Sequence, residues 1–350
     1  MPDKIRPDKG PAKDTTPRKD KAKDTASHKD KDKDLREIKD HKPRNDAWER
    51  VLLARHVQRP HTLDFIRALF KDFVEVHGDR CFGDDQAMIG GPASFEGRTV
   101  MILGQQKGRD TKENIARNFG SPRAEGYRKA LRLMHHAEKF SLPLLTFIDT
   151  GGAYPGKESE ERGIAMAIAE DLLALAKLRV PVIALVTGEG GSGGALAIGV
   201  ADRVLMLENS VYAVASPEGS AAILWRDAAQ APAAAAAMKI TAPDLLRFQI
   251  IDEVVPEPKG GAHLDPSTLF VTVKTVLLRH LNDLLARFEP DDHDGIRRML
   301  NERYAKYRRI GQWHELHPEN NNGNGVSHVN NVAATDVELA GPADLLHSNN

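Results

Sequence analysis

Apolar positions in the middle of the chain fall into short blocks that alternate with stretches repeating at helical spacing. Phe65, Leu69, Phe70 and Phe73 share a helical face, which predicts an amphipathic helix over 63–76 with Thr62 as its N-cap. Segments 87–95 and 98–104 read as strands, and the Glu96-Gly97 turn between them makes a hairpin. A helical pattern over 123–140 leads into the apolar block 142–148, the glycine-bearing segment 149–156 and a long helix over 160–178. One period later the block 180–186 runs into Gly188-Glu-Gly-Gly-Ser-Gly-Gly194, and helical spacing resumes at Ala195. Two copies of strand, glycine loop and helix imply parallel strands joined by right-handed crossovers.

Beyond this point the elements shorten. Strands are expected over 203–207, 211–214 and 250–255, and Ser216 with Pro217 and Glu218 makes a good helix start. A long helix over 267–288 closes the pattern, so the order is α/β throughout. At both ends the pattern disappears. Residues 1–43 repeat Lys-Asp units with almost nothing apolar, and residues 318–350 are rich in Asn and Gly. Such segments cannot offset their ordering entropy, so two disordered tails are expected around one domain over 44–317; a weak helix over 30–40 is the alternative for the first tail.

Composition removes several classes of function. A net charge of -1 gives no global basic field for nucleic acid or anionic membrane. The one cysteine, Cys81, excludes an internal disulfide and any cysteine-based metal cluster. No apolar run approaches the roughly 20 residues needed to span a bilayer, and the N-terminus carries no apolar signal core, so a cytoplasmic location is expected.

The glycine segment 188–194 satisfies three motifs at once. Gly188, Gly190 and Gly193 fit a dinucleotide fingerprint, but only residues 195–201 separate the loop from the next strand, against about a dozen for a crossover. A phosphate loop needs Lys and then Ser or Thr after Gly193, where Gly194 and Ala195 stand. Gly190, Ser192 and Gly194 fit a nucleophile elbow, yet the candidate bases His263 and His280 follow the core strands and have no obvious acid beside them. A small residue in a tight turn accounts for Ser192 equally well; the self-sufficient serine hydrolase remains the alternative function. A fourth reading uses the backbone: Gly193 and Gly194, opening a helix, can aim two N–H groups at one point as an oxyanion hole. Close helix-to-strand packing without chemistry is its structural counterpart. The second glycine loop favours the site, because two such loops at the carboxyl ends of parallel strands flank one crevice. Asp149 is expected to cap its loop.

Several segments in order carry a family resemblance. Arg59-Pro-His-Thr-Leu-Asp64, Gln106-Lys-Gly108, Thr111-Lys-Glu-Asn114, Arg117-Asn-Phe-Gly120, the run from Glu125 to Arg132, Phe147-Ile-Asp-Thr150, Gly188 to Gly199, Ser216-Pro-Glu-Gly219 and Ile223-Leu-Trp225 are similar to the carboxyltransferase alpha subunit of bacterial acetyl-CoA carboxylase, over about residues 45–315. The resemblance implies a crotonase-like fold of repeated ββα units, which suits the short crossover. It implies transfer of the carboxyl group of carboxybiotin to acetyl-CoA, giving malonyl-CoA, the first committed step of fatty acid synthesis. The implied partners are a zinc-bearing beta subunit that binds the acyl-CoA, a biotin carboxyl carrier protein and biotin carboxylase, around an α2β2 core; no metal is expected in this chain.

The same resemblance implies roles for individual residues. The N–H groups of Gly193 and Gly194 stabilise the ureido anion left when CO2 departs, and that nitrogen takes the methyl proton of acetyl-CoA. Gly151, Gly152, Tyr154, Gly190 and Gly191 line the biotin side. Lys107 and Arg109 follow a strand and can attract the carboxylate, although a solvated basic turn is an equal reading. The chain departs from related sequences at Gly151, usually Pro, at Gln105, usually His, and in the bulkier, charged Lys157-Glu158-Ser159. Ala237-Met238-Lys239 imitates a biotin attachment site but ends an alanine run, so Lys239 is read as a helix-end residue. His135 and His136 are adjacent and share no helical face, so they are read as ordinary helix residues.

Overall fold

Residues 47–288 and 292–311 are described by the computed structural model; the expected tails over 1–43 and 318–350, with the weak helix over 30–40, lie outside the described residues. Two helices, α1 (Ala47–Ala54) and α2 (Thr62–Leu69), precede the sheet. The hairpin follows as β1 (Met88–Phe95) and β2 (Arg98–Gln105), closed by Glu96 and Gly97 in the left-handed region, φ 49° and 80°. That pair of positive φ values matches the right-handed twist of the strands it joins. Next come α3 (Thr111–Ala116), α4 (Ala124–Lys139), β3 (Leu144–Thr150), α5 (Lys157–Glu161), α6 (Ile164–Lys177) and β4 (Val182–Gly191). The second half holds α7 (Ser192–Leu196), β5 (Arg203–Leu207), β6 (Val211–Ala213), α8 (Pro217–Trp225), α9 (Ala231–Met238), α10 (Ala242–Arg247), β7 (Glu253–Val255), α11 (Pro266–Arg287) and α12 (His293–Arg308).

The strands form one sheet in the order β1-β2-β3-β4-β5-β7, with β6 also beside β4. Only the hairpin is antiparallel; β2 through β5 and β7 run parallel. Both faces of the sheet are covered, and the period of two along each strand divides its side chains between them. Leu144 and Ile148 of β3, with Val182, Ala184 and Val186 of β4, pack with Tyr127, Leu133 and Met134 of α4 and Leu175 of α6. Leu145, Phe147, Ile183 and Leu185 turn the other way, onto Phe65 and Leu69 of α2 and Leu277 and Leu281 of α11.

Several local expectations change, among them the strand expected over 250–255, which forms only at Glu253–Val255. The helix expected over 63–76 stops at Leu69: Phe70 is already extended and Lys71 bridges Ser94, and after Asp72 (φ 53°) the chain runs alongside β1, with Val74 and Val76 N–H bonded to Pro92 and Gly90 carbonyls at 3.0 and 2.9 Å. Its N-cap is His61 rather than Thr62, whose hydroxyl is drawn to the Gln105 carbonyl instead. The single helix expected over 160–178 is two, broken where Gly163 takes φ 78°. The glycines at 188–191 belong to β4 itself: its first half pairs with β5, and its glycine end pairs with β6 through Glu189, Gly190 and Gly191.

One buried group sets a stability prediction. Asp171 of α6 is buried in the apolar layer and neither carboxylate oxygen has a hydrogen-bond partner among the described residues. Burial pushes its carboxyl well above the ordinary value, with the Glu170 charge adding to the effect. A carboxyl raised on folding binds its proton more tightly in the native state. Stability therefore falls as pH rises above the unfolded value of about 4, by about 1.4 kcal/mol per unit until the native group ionises. Asp171→Asn should remove this slope, so urea unfolding at pH 5 and pH 8 is expected to show a variant whose advantage over the parent grows with pH. Parallel curves for the two proteins would refute it.

Candidate active site

The site is built where β3 and β4 end. Thr150 stands opposite Gly190 in the sheet, so the chain leaving β3 through Gly151 and Gly152 passes directly over Gly191. The two segments touch backbone to backbone. A Cβ on Gly191 would lie 2.2 Å from the Gly151 carbonyl oxygen, and one on Gly194 would lie 2.4 Å from the Ala153 nitrogen. A Cβ on Gly188 would strike the Asp149 carboxylate at 2.3 Å, and one on Gly190 the Tyr212 ring at 2.6 Å. Packing therefore demands glycine at these four positions. It makes no such demand at Gly151, which has nothing within 4 Å, or at Gly193, whose nearest neighbour would be Ile168 at 3.8 Å. A Cβ would be accommodated at both, in open space at Gly151 and in ordinary contact with Ile168 at Gly193.

Ser192 turns the chain from β4 into α7 with φ 50°, and the helix it opens is only five residues long. The N–H groups of Gly193 and Gly194 lie in its first turn, where no carbonyl four residues back belongs to the helix. Ser192 itself is exposed. The two histidines considered as its base are engaged elsewhere: His280 pairs with Glu253 at 2.8 Å, and His263 stacks on His56 with ring centroids 3.7 Å apart.

Beneath the loops, the carboxyl ends of adjacent strands bring charges together. Lys107 follows β2, Asp149 ends β3 and Glu189 lies near the end of β4. The Lys107 ammonium is 2.7 Å from Asp149 Oδ1 and 3.0 Å from Glu189 Oε2. The other Asp149 oxygen meets His61 Nδ1 at 2.9 Å, and Oδ1 also accepts the Glu189 N–H at 3.1 Å. Arg55, just past the end of α1, donates to Glu189 at 2.6 Å and also pairs with Glu218 of α8. Burial opposes the charge on both Lys107 and Asp149, but their mutual attraction prevails: Lys107 is held above its ordinary value and Asp149 below the usual carboxylate range. Asp149 thus ties three segments together rather than capping its own loop alone.

The other expected residues are placed as follows. Gly152, at φ 146°, is held by Thr150, whose hydroxyl donates to its carbonyl at 2.8 Å. Tyr154 is half-buried with the Arg123 guanidinium 4.8 Å above its ring. Lys107 reaches the floor of the glycine loops, whereas Arg109 turns away from them, pairing with Asp64 and donating to the Arg59 carbonyl at 2.9 Å. Lys239 is the left-handed cap of α9, φ 55°. No group of His, Cys, Asp and Glu able to hold a metal ion occurs among the described residues, His135 and His136 included. Sequence reasoning missed His61, Arg55, Glu189 and Glu218. A signal was present for one of them: a charged residue at the end of each of three successive apolar strands.

Known proteins resemble this chain in sequence and in fold. Residues 13–311 match a family model described as acetyl co-enzyme A carboxylase carboxyltransferase-like. Acetyl-coenzyme A carboxylase carboxyl transferase subunit alpha of Halalkalibacterium halodurans is 55% identical over 266 residues, covering 76% of this chain and 80% of that protein. The Deinococcus radiodurans protein of the same name is 55% identical over 277 residues, covering 79% and 85%. Among solved structures, a transcarboxylase 12S chain with methylmalonyl-coenzyme A bound superposes with TM-score 0.53 at 21% identity, covering 65% of this chain but 44% of that one. A Pseudomonas malonate decarboxylase heterodimer chain gives TM-score 0.50 at 24% identity, covering 65% and 91%. The structural likeness establishes the fold, which is crotonase-like. The sequence likeness goes further, and the chain belongs to the family of acetyl-CoA carboxylase carboxyl transferase alpha subunits.

Proposed function

We propose that the chain is the biotin-side half of an acetyl-CoA carboxyltransferase, completed by a beta subunit that holds the acyl-CoA. The observation that carries the proposal is the contrast among the glycines: four are required by packing, while Gly151 and Gly193 have room for a Cβ that packing does not forbid. Carboxybiotin, borne on a separate carrier protein, supplies an activated carboxyl group, and its loss leaves negative charge on the ureido oxygen. The N–H groups of Gly193 and Gly194 stabilise that charge, helped by the dipole of the peptides behind them. Gly151, Gly152, Gly190, Gly191 and Tyr154 shape the walls around the ring. Lys107 acts on this pocket from below, its charge shared with Asp149 and Glu189, while Arg109 fixes the segment before α2. The ureido nitrogen takes the methyl proton of acetyl-CoA, and the resulting enolate carbon attacks CO2 to give malonyl-CoA, so no protein nucleophile is needed.

Dependence on a second chain has support on the surface. Helix α9 is apolar on all sides, and α8 is apolar apart from Glu218 and Ser220, a pattern that belongs to buried helices. Yet Val214 is 81%, Ile223 80% and Leu224 67% exposed. Exposed apolar surface of this kind suits a protein interface. It adjoins the crevice, since β6 pairs with the glycine end of β4 and Glu218 of α8 is bonded to Arg55 of the charge network. Two outcomes are expected. The chain purified alone should make no malonyl-CoA from carboxybiotin and acetyl-CoA, and should do so once co-expressed with its beta partner; activity without any partner would overturn the reading. Ile223→Asp should weaken assembly with that partner by roughly ten- to a hundredfold in Kd, measured by analytical ultracentrifugation, without changing the fold of the free chain.

A further inference from the structure

Gln105, the last residue of β2, is fully buried between the end of β3 and the first turn of α7. Its side-chain amide is used at both ends. Oε1 accepts the Asp149 N–H at 3.1 Å, and Nε2 donates to the Gly194 carbonyl at 3.0 Å. The reverse amide orientation would set N–H against N–H and oxygen against oxygen, so the two partners fix it. The Gly194 carbonyl lacks the usual helical donor: the Ile198 N–H bonds Ala195 at 3.3 Å instead. Gln105 supplies the missing donor.

A five-residue helix is not self-supporting, and this one opens on a residue at φ 50°. Its orientation must come from outside. Below it Gly194 rests on the Gly152 and Ala153 backbone, a contact that limits approach but not rotation. A directional hold on its first turn is the Gln105 bond, while the Thr146 hydroxyl holds the Ile198 carbonyl beyond its far end. Through Oε1 the same amide is tied to Asp149, which anchors Lys107, His61 and the Glu189 N–H. We infer that Gln105 is a positioning residue for the carboxyl transfer: its amide sets the angle of the first turn of α7 against the end of β3, and so the direction of the Gly193 and Gly194 N–H groups. This inference rests on the function proposed above.

The test compares Gln105→Met, which keeps length and volume but bonds nothing, with Gln105→Glu, both in the complex with the beta subunit. For Gln105→Met, kcat should fall between about ten- and a hundredfold with KM for acetyl-CoA little changed, because donors are misaimed rather than removed. For Gln105→Glu, only the protonated side chain can donate to Gly194 while the Asp149 N–H remains served. Its kcat should therefore decline with rising pH across a range where the parent is flat. Hydrogen exchange provides a readout independent of activity: amides in 192–198 should exchange faster in Gln105→Met, with β1 and α11 unchanged. Parent-like exchange in 192–198, a kcat within twofold of the parent for Gln105→Met, or a parent-like pH profile for Gln105→Glu would overturn the inference. If instead the parent complex makes no malonyl-CoA while exchange responds as stated, the functional reading fails and the positioning role stands.

Discussion

Gly193→Val is expected to lower malonyl-CoA formation by the assembled enzyme about a hundred- to a thousandfold, the range found when one oxyanion donor is lost, while Ser192→Ala leaves it within about twofold. The two residues are neighbours, so the comparison separates backbone from side-chain chemistry at one place in the fold. Gly193 suits the test because a Cβ there meets nothing nearer than Ile168 at 3.8 Å, and the variant should keep its melting temperature. A valine nevertheless stands beside the N–H and excludes the ring that must approach it. Gly194→Val should be at least as inactive but for a mixed reason, since its Cβ would lie 2.4 Å from the Ala153 nitrogen and push the two loops apart. Steady-state rates with carboxybiotin, paired with thermal melts, distinguish the cases. A Gly193→Val enzyme of parental kcat, or a Ser192→Ala enzyme as inactive as Gly193→Val, would remove the backbone mechanism.

The parts of this fold that announced themselves were those whose stability is local or periodic. The hairpin turn at Glu96-Gly97, the apolar blocks of β3 and β4, the Ser216 cap, whose hydroxyl accepts the Gly219 N–H at 3.0 Å, and the alanine helix ending at Lys239 all follow from short-range chemistry. The glycine segment was legible as a site but not as structure. Only a sheet with β3 and β6 on either side makes strand of Gly188 to Gly191, and those neighbours lie roughly 20 to 40 residues away in sequence. Helix α12 left almost no apolar trace, because it docks through Arg303, which is buried against Asp202 at 2.7 Å and donates to the carbonyls of Leu175, Leu178 and Val180. Charge that is paired in the fold looks like solvated surface in the sequence. The same ambiguity hid the partners of Lys107, whose two acids come from other strands.

That buried charge cluster leads to the largest stability effect expected. Asp149→Ala should destabilise the chain by about 3–5 kcal/mol, the usual cost of stranding one member of a buried ion pair. The reason is the number of groups that lose a partner together: the Lys107 ammonium, the His61 ring and the Glu189 N–H, all within 3.1 Å of one carboxylate. Glu189 still faces Lys107 at 3.0 Å, but Arg55 already claims its other oxygen at 2.6 Å. The pH dependence fixes the mechanism. A carboxyl held below its ordinary value contributes stability that is complete above the unfolded value of about 4 and lost as pH falls through the folded one. Lys107, held above its ordinary value, contributes below about pH 10 and loses that contribution as pH rises through its folded value. The gap between parent and variant should therefore be widest and flat between these limits and should narrow in strong acid, as measured by urea unfolding across pH. Lys107→Met combined with Asp149→Leu should recover part of the loss, because removing both charges leaves neither stranded. If the double variant is as unstable as the sum of the singles, the carboxylate holds the loops through its backbone contacts, and the ion pair contributes little to their stability.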